Sequence, residues 1–396
     1  MDGMLELEDA QSRLLDLAPL MPVESLAVEE TFGRYLASNL HAARTQPPAD
    51  LSAMDGYAIA GTRSWRIMGE SRAGAPYDDY LCWGQCVRIS TGAQVPRGAD
   101  SILIQEDAEL LLPDLVDAPQ RPNRGQHIRR AGMDFKQGDE LLAAGTCIGA
   151  PQIALAISAG HAQIEVRRAP KVAVMDSGDE LAPDPSQCGQ DQIPASNGAM
   201  LASMLRVQGC EVIRIGPVAD DEDALAEALA LADDADILVT SGGASVGDHD
   251  LIKPALENWG AQLAFWKVAI KPGKPLIVAT RGSQVILGLP GNPVSSFVTA
   301  YLFLLPLVRK AMGAASPLPR PIVLPAAEII PAGGTRREFL RAVIDYEGVR
   351  PLTLQDSSAL ANLARAQCLI ERVAEADPVP AGSPLTIYPL GNGGIA

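Results

Sequence analysis

Apolar residues recur at two different spacings along the chain, and the change of spacing marks predicted structural regions. Residues 5–18 carry leucine and alanine at helical spacing until Pro19 ends the pattern. From Gln46 onwards, glycine and proline interrupt short apolar runs, which is typical of a small, turn-rich β module. Residues 151–160 return to the helical spacing and end at Gly160. The chain up to Gly160 therefore predicts helical segments on either side of a β module.

After Pro170, apolar runs alternate with helical patterns. Predicted strands open the segments 172–181, 210–216, 236–243 and 283–293, and helices are predicted over 197–209, 221–231 and 251–259. This alternation predicts a parallel, doubly wound sheet with right-handed crossovers and a ligand at the carboxyl ends of the strands. A proline-rich linker follows Met312, and the rest of the chain has the pattern of a last small β domain. The predicted fold class is thus α/β and multidomain, with composition changes near residues 46, 134, 170 and 315.

The composition narrows the classes of function. Hydrophobic residues make up 47% and charged residues 20% of the 396 residues, which is an ordinary balance for a globular protein. The net charge of −16 argues against nonspecific binding to nucleic acid or to an anionic membrane, so neither is predicted as a partner. A small anionic ligand stays compatible with this charge, because a local cationic pocket can reverse the overall field.

Three further features predict a soluble, cytoplasmic protein. The six cysteines are scattered, and the closest pair, Cys82 and Cys86, has no matching second pair, so reduced thiols are expected rather than a zinc site or disulfides. The acidic N-terminus lacks a signal pattern. The longest apolar stretch, residues 297–308, is too short to span a bilayer and contains Pro306.

Three glycine-rich or acidic turns each follow a predicted strand, at residues 176–180, 240–250 and 288–293. Since the carboxyl ends of parallel strands meet at one edge of a sheet, these turns are expected to converge on one rim. In the second turn, TSGGASVGDHD, the backbone N–H groups of glycines can hold a phosphate. The turn lacks the P-loop and dinucleotide-binding patterns, and the alternative is a strand-to-helix turn with Asp248 or Asp250 as helix cap.

A second candidate for anion binding is the segment KPGKP, in which Lys271 and Lys274 bracket a Pro-Gly turn shortly after Lys267. The proline stiffens the turn and keeps the lysine stems close together, so their charges repel unless an anion lies between them. A phosphate or another tetrahedral oxyanion fits this pattern. The alternative is a solvated surface turn, which is the usual environment of lysine.

The same strand-end turns carry carboxylates that could hold Mg²⁺, an ion that takes a few carboxylates together with phosphate oxygens. The candidates are Asp179, Glu180, Asp248 and Asp250. Each of them could instead be a helix cap or a solvated charge. In the β module, Asp55 and Thr91 lie in turns rich in glycine and hydroxyl groups, and their spacing alone predicts hairpin turns.

Several longer segments are distinctive when they occur together: PPADLSAMDGYA, STGAQVPRGAD, GMDFKQGDELL, SGDEL, ASNG, TSGGASVGDHDLIK, WKVAIKPGKP, GLPGNPVSSF and REFLR. The chain that carries them resembles the molybdopterin molybdenumtransferase family, which includes the bacterial enzyme and the E domain of gephyrin. The resemblance implies an elongated homodimer with four domains in each subunit. These are a discontinuous helical stalk at 1–45 and 135–169, an inserted β module at 46–134, a molybdopterin-binding α/β domain at 170–314 and a β-barrel-like C-terminal domain at 315–396.

The resemblance also implies a reaction of adenylylated molybdopterin with molybdate in an Mg²⁺-dependent step that releases AMP. The implied catalytic residues are Asp250, Glu180, Lys271 and Lys274, and the implied metal ligands are Asp248 and Asp250. The pterin phosphate would be bound by Thr240, Ser241, Gly242, Gly243, Ser245 and Gly247, and molybdate by the two lysines, Arg341 and a hydroxyl of Ser357 or Ser358. Further implied substrate-binding positions are Lys267, Pro290, Asn292, Asp55, Thr91, Asp134 and Asp221.

In the family dimer, the motifs of Asp55 and Thr91 face the cleft of the second subunit, so the resemblance implies a composite site. Other partners it suggests are the molybdopterin adenylyltransferase and chaperones of molybdoenzymes. Two segments depart from the family pattern. Asp176 and Ser177 stand where the family usually has a Ser-Thr or Pro-Thr pair, and the C-terminal loop has Asp356 for a glycine and Asn362 for a serine.

Two alternatives to this enzyme stay open. The first is a catalytically altered paralogue that acts as a binding or scaffold protein in cofactor delivery, since Asp356 would add negative charge near the proposed oxyanion site. The second is an amidohydrolase that acts on a pyridine nucleotide with the same α/β fold. The lysine pair and the acidic turns favour an enzyme over a scaffold, and the β module with the REFLR segment disfavours the amidohydrolase.

Overall fold

The stalk is built from two separate stretches of chain in the computed structural model, which describes residues 4–242 and 251–391. Its first stretch, up to residue 45, holds α1 (Leu7–Asp16), β1 (Val23–Ala27) and β2 (Leu40–His41). The predicted helix over 5–18 is confirmed, shorter by two residues at each end. The apolar side chains of Leu7, Ala10 and Leu14 are buried in the core of the α/β domain, which ties this helix to residues far along the chain.

The β module, residues 46–134, interrupts the stalk. It holds β3 (Leu51–Ser52), β4 (Gly56–Ile59), β5 (Trp65–Ser71), β6 (Gln85–Ile89), β7 (Ser101–Ile104), β8 (Glu109–Leu112), β9 (Leu115–Asp117) and β10 (Ile128–Arg129). Within the described chain, six of these strands form one sheet in the order β7-β4-β6-β5-β9-β8, and β3 pairs with β10. The side chain of Trp65 is fully buried in the module's own core.

The stalk resumes with β11 (Glu140–Leu142), α2 (Ala150–Ser158) and β12 (Gln163–Arg167). The strands β1 and β12 pair in antiparallel fashion, as do β2 and β11. Each pair joins a strand before the β module to one after it, so the module is inserted between two halves of the stalk. The exact limits of the four domains stay predictions.

The α/β domain, residues 170–314, contains the largest core. Its strands are β13 (Lys171–Ser177), β14 (Leu181–Ala182), β15 (Ile193–Pro194), β16 (Glu211–Val218), β17 (Ile237–Ser241), β18 (Gln262–Lys267), β19 (Ile270–Lys271), β20 (Pro275–Arg281) and β21 (Gln284–Leu289). Its helices are α3 (Asn197–Val207), α4 (Glu222–Ala230), α5 (Ile252–Asn258), α6 (Pro293–Thr299) and α7 (Leu305–Ala311). Along β13, Val172 and Val174 point into one core while Ala173 and Met175 point into the other, as expected for a sheet covered on both faces.

The main sheet runs in the order β16-β13-β17-β21-β20-β18 among the described residues. The pairs among β16, β13, β17 and β21 are parallel, whereas β20 pairs with β21 and with β18 in antiparallel fashion. The prediction of a wholly parallel sheet is therefore wrong for this edge. The reason is the connection between β20 and β21, which consists of Gly282 and Ser283 and leaves no room for a crossover helix.

One helical run in the described part of the chain, Pro293–Ala311, is long and apolar enough to cross a membrane by length and composition. It joins α6 and α7 through a π-helical segment, Ala300–Leu304, and so exceeds the stretch 297–308. Of its apolar window, 89% is buried inside the fold. Side chains such as Tyr301 and Phe303 are fully covered by the α/β core, so the run packs as a core helix.

The C-terminal domain, residues 315–391 of the described chain, is a second mixed β structure. It holds β22 (Ile322–Pro325), β23 (Arg337–Asp345), β24 (Gly348–Pro351), α8 (Leu360–Arg365), β25 (Cys368–Arg372) and β26 (Pro384–Pro389). The sheet runs β19-β23-β25-β26-β22, with β24 also paired to β23. Its edge strand β19 comes from the α/β domain, so the two domains share a sheet. All six cysteines of the protein are free, as predicted.

Candidate active site

Three turns meet at one rim of the main sheet. In neighbouring strands, Asp176 lies opposite Ser241 and Ser241 lies opposite Leu289, so β13, β17 and β21 end side by side. The predicted convergence of the turns that follow these strands is confirmed. They line a cleft of about 830 Å³ together with Leu251, Pro275 and residues of the C-terminal domain.

The lysine turn reaches the same rim because β20 is antiparallel to its neighbour. Ile277 pairs with Gly288, so the beginning of β20 lies beside the end of β21. Pro275, the first residue of β20 and the last of the KPGKP segment, lines the cleft. In a parallel arrangement the same segment would lie at the opposite edge of the sheet.

The TSGG turn packs tightly against the end of β13. Gly242 has a φ of +104°, and a Cβ at this position would lie 2.5 Å from the carbonyl oxygen of Ser177, so the turn requires glycine here. Thr240 and Ser241 are buried at the end of β17. The hydroxyls of Ser177 and Thr240 have no hydrogen-bond partner among the described residues. Of the predicted site residues, Gly243, Ser245, Gly247, Asp248 and Asp250 lie outside the described residues.

Asn197, the first residue of α3, connects two of the cleft turns. Its side-chain amide donates hydrogen bonds to the Ser241 hydroxyl at 3.0 Å and to the Gly291 carbonyl at 2.6 Å. The sequence patterns placed Asn197 correctly at a helix start but gave no reason to assign it to the site. The one available signal is the ASNG segment, which a helix-capping role explains equally well.

Asp176 forms the floor of the cleft. Its side chain is nearly fully buried, and its Oδ2 lies 3.3 Å from an Nη of Arg214 on β16. Burial raises the pKa of the Asp176 carboxyl, although the guanidinium of Arg214 and the backbone N–H of Gly198 partly counteract this effect. A Cβ on Gly198 would lie 2.0 Å from the carboxylate, so α3 can approach this close only with glycine.

Carboxylates gather at the mouth of the cleft. Glu180 and Asp220 line it, and the backbone N–H of Asp220 donates a hydrogen bond of 3.0 Å to the Asp179 carboxylate. Burial raises the pKa of Asp220, and the charges of Asp179 and Glu180 raise it further. Among the described residues, no group of three or more histidine, cysteine or acidic side chains has metal-binding geometry.

The three predicted lysines have different surroundings. The Nζ of Lys271 lies 2.8 Å from a carboxylate oxygen of Glu338 on β23. Lys267 stacks over the Trp266 ring, with its Nζ 4.4 Å from the ring centroid. Lys274 is exposed and makes no ion pair within the described chain. The expected repulsion between Lys271 and Lys274 is thus reduced by a protein carboxylate, which the sequence patterns did not reveal.

Arg341 and the loop after β24 bring the C-terminal domain to the cleft. Arg341 is buried, and its guanidinium donates to the carbonyls of Leu354 and Asp356 at 3.3 and 2.9 Å. The Ser357 carbonyl accepts a hydrogen bond of 3.0 Å from the Val294 backbone at the start of α6. Ser358 lines the cleft. In this arrangement Arg341 holds the loop, and the loop presents Ser358.

The departure from the family pattern at Asp356 has a local structural role. Its Oδ1 accepts hydrogen bonds from the Ser358 hydroxyl at 2.6 Å and from the Ser358 backbone at 2.9 Å. These two bonds lower the pKa of the Asp356 carboxyl, with the hydroxyl contributing most. Asn362, the second departure, donates to the Leu354 carbonyl at 2.9 Å and so also stabilises the loop.

The remaining predicted residues divide between the cleft and more distant positions. Pro290 and Asn292 line the cleft. Asp221 caps α4 by accepting hydrogen bonds from the backbone of Asp223 and Ala224, and it is absent from the cleft lining. Asp134 is an exposed residue of the turn at the end of the β module.

Asp55 and Thr91 are in contact within the β module. The Thr91 backbone N–H donates to the Asp55 carboxylate at 2.6 Å. This bond, followed by one from the Thr91 hydroxyl, lowers the pKa of Asp55. Neither residue lines the cleft of its own chain. The two motifs, separated by 36 positions, thus form one local feature on another surface of the protein.

Comparison with known proteins gives a consistent result along the chain. Residues 5–160 match the family model described as MoeA N-terminal region (domain I and II), residues 173–310 match the probable molybdopterin binding domain, and residues 323–390 match the MoeA C-terminal region (domain IV). A molybdopterin molybdenumtransferase of Haemophilus influenzae is 34% identical over 98% of this chain and 99% of its own length. One from Staphylococcus aureus is 29% identical over 92% of this chain and 91% of its own.

The fold has the same relatives. A crystal structure of the molybdopterin biosynthesis MoeA protein from Pyrococcus horikoshii superposes with a TM-score of 0.84 at 25% identity, covering 98% of this chain and all of that one. A second structure of a protein with this name gives a TM-score of 0.80 at 26% identity. The multidomain α/β architecture therefore matches solved structures over nearly the whole chain.

Proposed function

The chain belongs to the molybdopterin molybdenumtransferase family, and from that membership we propose that it inserts molybdenum into adenylylated molybdopterin. Molybdate and adenylylated molybdopterin are the substrates in this proposal, and molybdenum cofactor and AMP are the products. One observation carries it. The lysine turn and the three strand-end turns share a rim, so cations for a tetrahedral dianion lie beside a cleft that offers backbone donors for a phosphate.

The phosphate end of the pterin binds at the TSGG turn in this proposal. Gly242 leaves the backbone uncovered there, and the unpartnered hydroxyls of Thr240 and Ser177 supply further hydrogen-bonding capacity nearby. Asn197 holds Ser241 and the Gly291 turn in fixed positions on either side. A turn fixed in this way binds its ligand without a further ordering cost.

Molybdate binds at the lysine turn. Lys271 and Lys274 supply the positive charge, and Lys267 adds to the local field from the end of β18. Arg341 acts from a distance, because its guanidinium binds the carbonyls of the loop that presents Ser358. The hydroxyl of Ser358 donates to the Asp356 carboxylate in this structure, so it would donate to the oxyanion only after turning away from Asp356.

Mg²⁺ is the cofactor of the proposal. Burial raises the pKa of Asp220, and the neighbouring charges of Asp179 and Glu180 raise it further, which is an electrostatic environment that a cation relieves. Glu180 would hold the ion together with Asp248 and Asp250, using the carboxylate oxygens that Mg²⁺ prefers. When bound, the ion neutralises charge on the phosphate oxygens. Asp250 orients the water that attacks the phosphoanhydride bond, with AMP as the leaving group.

Asp55 and Thr91 act in the cleft of a second subunit in this proposal, which makes the working form a homodimer. The short Thr91–Asp55 hydrogen bond fixes the carboxylate that the β module would present. The molybdopterin adenylyltransferase and molybdoenzyme chaperones are the proposed protein partners, and the cytoplasm is the proposed location. The runner-up is a paralogue that binds and delivers the cofactor, supported by the negative charge of Asp356 beside Ser358.

The decisive experiment follows AMP release by the purified protein with adenylylated molybdopterin, Mg²⁺ and molybdate. We expect molybdate-dependent release that EDTA abolishes and that Mg²⁺ restores. Asp250→Asn and Lys274→Ala should each abolish it, whereas the exposed stalk variants Asp16→Asn and Lys136→Ala should match the wild type. Normal turnover by both site variants would refute the site, and binding of the pterin without any AMP release would favour the scaffold. Tungstate in place of molybdate measures the metal preference.

A further inference from the structure

The lysine turn is attached to the C-terminal domain by a short parallel strand. β19 pairs with β23, with Ile270 opposite Arg337 and Lys271 opposite Glu338. Arg336 adds a hydrogen bond of 3.0 Å from its guanidinium to the Ile270 carbonyl. The backbone that carries Lys271 is therefore an edge strand of the C-terminal sheet, although it belongs in sequence to the α/β domain.

Glu338 is an enclosed carboxylate at this junction. Its strand is paired on both sides, by β19 and by β25, and its side chain is only 11% exposed. A Cβ on Gly334 would lie 3.1 Å from its Oε1, so the chain before β23 also lies against the carboxylate. A carboxylate with so little water around it needs a cationic partner. Lys271 is that partner, with its Nζ 2.8 Å from Oε1.

The pair is asymmetric in exposure. The Lys271 side chain is 58% exposed, whereas the Glu338 side chain is 11% exposed. The carboxylate therefore holds the ammonium group from the protein side. An ammonium group has three N–H donors, and this bond uses one of them. Two donors stay available to a ligand. A free lysine loses considerable rotamer entropy when it binds a ligand, and a lysine that is already held loses less.

We propose that Glu338 is a positioning residue for the oxyanion, which fixes the Lys271 ammonium group at the cleft rim before the tetrahedral dianion binds. The inference rests on the proposed function, because it assigns Glu338 to the molybdate end of that site. Glu338 itself touches no substrate and acts through Lys271. The opposite hypothesis is that Glu338 screens the charge of Lys271 from the oxyanion. In that case removal of the carboxylate would strengthen molybdate binding.

The test is equilibrium dialysis of molybdate alone against the full-length protein, with Glu338→Gln as the main variant. We expect molybdate binding to weaken about tenfold, because a displaced or mobile ammonium group is a poorer ligand for the dianion. In turnover the same variant should raise the KM for molybdate by a similar factor and change kcat much less. Glu338→Asp, which keeps the charge, should restore part of the affinity.

Two comparisons separate positioning from a structural effect. In a Lys271→Ala background, Glu338→Gln should have no further effect on molybdate binding, since its partner is already absent. Glu328→Gln, which removes another carboxylate of the C-terminal domain from its pair with Arg350, should bind molybdate like the wild type.

Four results would overturn the inference: unchanged or tighter binding by Glu338→Gln, a full effect in the Lys271→Ala background, an equal loss in Glu328→Gln, or a wild type that binds no molybdate. A wild type that binds molybdate but releases no AMP would refute the proposed function. The role of Glu338 would still be decided by comparing molybdate binding by the wild type and by Glu338→Gln in dialysis.

Discussion

The side-chain amide of Asn197 lies 2.6 Å from the main-chain carbonyl of Gly291, and this bond joins the start of α3 to the turn after β21. The same amide binds the hydroxyl of Ser241 at the end of β17. One side chain thus connects the start of α3 to the turns that follow two neighbouring strands, β17 and β21.

Asn197→Ala should therefore weaken substrate binding and lower stability. The change removes one hydrogen bond to the exposed Gly291 carbonyl, which water can replace. It also removes one to the buried Ser241 hydroxyl, and that loss costs about 1–3 kcal/mol. We expect a lower melting temperature and a higher KM for adenylylated molybdopterin. Calorimetry and AMP-release kinetics measure the two effects.

Asn39→Ala is the matched control for this change. Asn39 also makes two side-chain hydrogen bonds, to Glu140 and to the backbone of Ala144, but it lies in the stalk. The Asn39→Ala variant should lower the melting temperature without changing the KM for adenylylated molybdopterin. If Asn197→Ala leaves the KM for adenylylated molybdopterin unaltered, the two hydrogen bonds of Asn197 contribute to folding alone.

Asp176 should make the stability of the protein depend on pH. Because its folded pKa is raised, its contribution to stability is fully present below the unfolded pKa and is lost as the pH rises through the folded pKa. The Asp176→Asn variant has no carboxyl to ionise, so it avoids this loss. The melting temperature of this variant relative to the wild type should therefore increase between about pH 4 and pH 7. A constant or decreasing difference would contradict the assignment.

Arg214→Met tests the same buried pair from the other side. The guanidinium partly offsets the effect of burial on the Asp176 carboxyl, so its removal leaves a buried negative charge without its ion-pair partner. The variant should lose more stability at neutral pH than at acid pH. Asp176→Asn in the Arg214→Met background should recover part of that loss at neutral pH, as thermal denaturation at both pH values will show.

Most of the rim could be predicted from the sequence, because parallel strands bring their carboxyl ends together whatever the side chains are. The position of the lysine turn could not follow from that rule. A parallel β20 would have placed KPGKP at the opposite edge, so the antiparallel pairing that the patterns missed is what brings the lysines to the cleft. The two-residue connection at Gly282 and Ser283 was the available signal, since only antiparallel strands can be joined so briefly.

Contacts between segments that are distant in the sequence could not be predicted from it either. The helical pattern correctly placed Asn197 at the start of α3, but no local pattern shows that its amide crosses to Gly291. The same is true of Lys271 and Glu338, which are 67 positions apart and meet only because β19 joins the C-terminal sheet. Such contacts depend on how whole domains pack, and periodicity within one element carries no information about that packing.

The composite site of the proposed homodimer predicts complementation between inactive subunits. Asp55→Ala removes the carboxylate that Thr91 fixes, and Lys274→Ala removes a cation from the lysine turn. If the two residues serve one site from different subunits, a mixed dimer contains one intact site and one doubly damaged site. Random exchange should then restore about one quarter of wild-type AMP release in an equal mixture of the two inactive variants.

The control for complementation is a mixture of Lys274→Ala with Lys271→Ala. Both residues belong to the same turn of one chain, so in a mixed dimer each cleft carries one damaged lysine and no activity should return. Recovery in this control, or no recovery with Asp55→Ala, would contradict a site shared between subunits. Sedimentation analysis of each variant verifies that the dimers form.

Asp356→Gly should improve molybdate use. The Asp356 carboxylate places a negative charge beside Ser358 and accepts the hydrogen bond of its hydroxyl, so its removal eliminates a repulsion and frees a donor for the oxyanion. We expect the KM for molybdate to fall several-fold, roughly the effect of one neighbouring charge at a partly exposed site. Ser358→Ala should remove the improvement, and Asp345→Asn, in a hairpin turn of the same domain, should leave the KM unchanged. A higher KM in Asp356→Gly would instead mean that the carboxylate is needed to hold the loop at the cleft, which Ser358 lines.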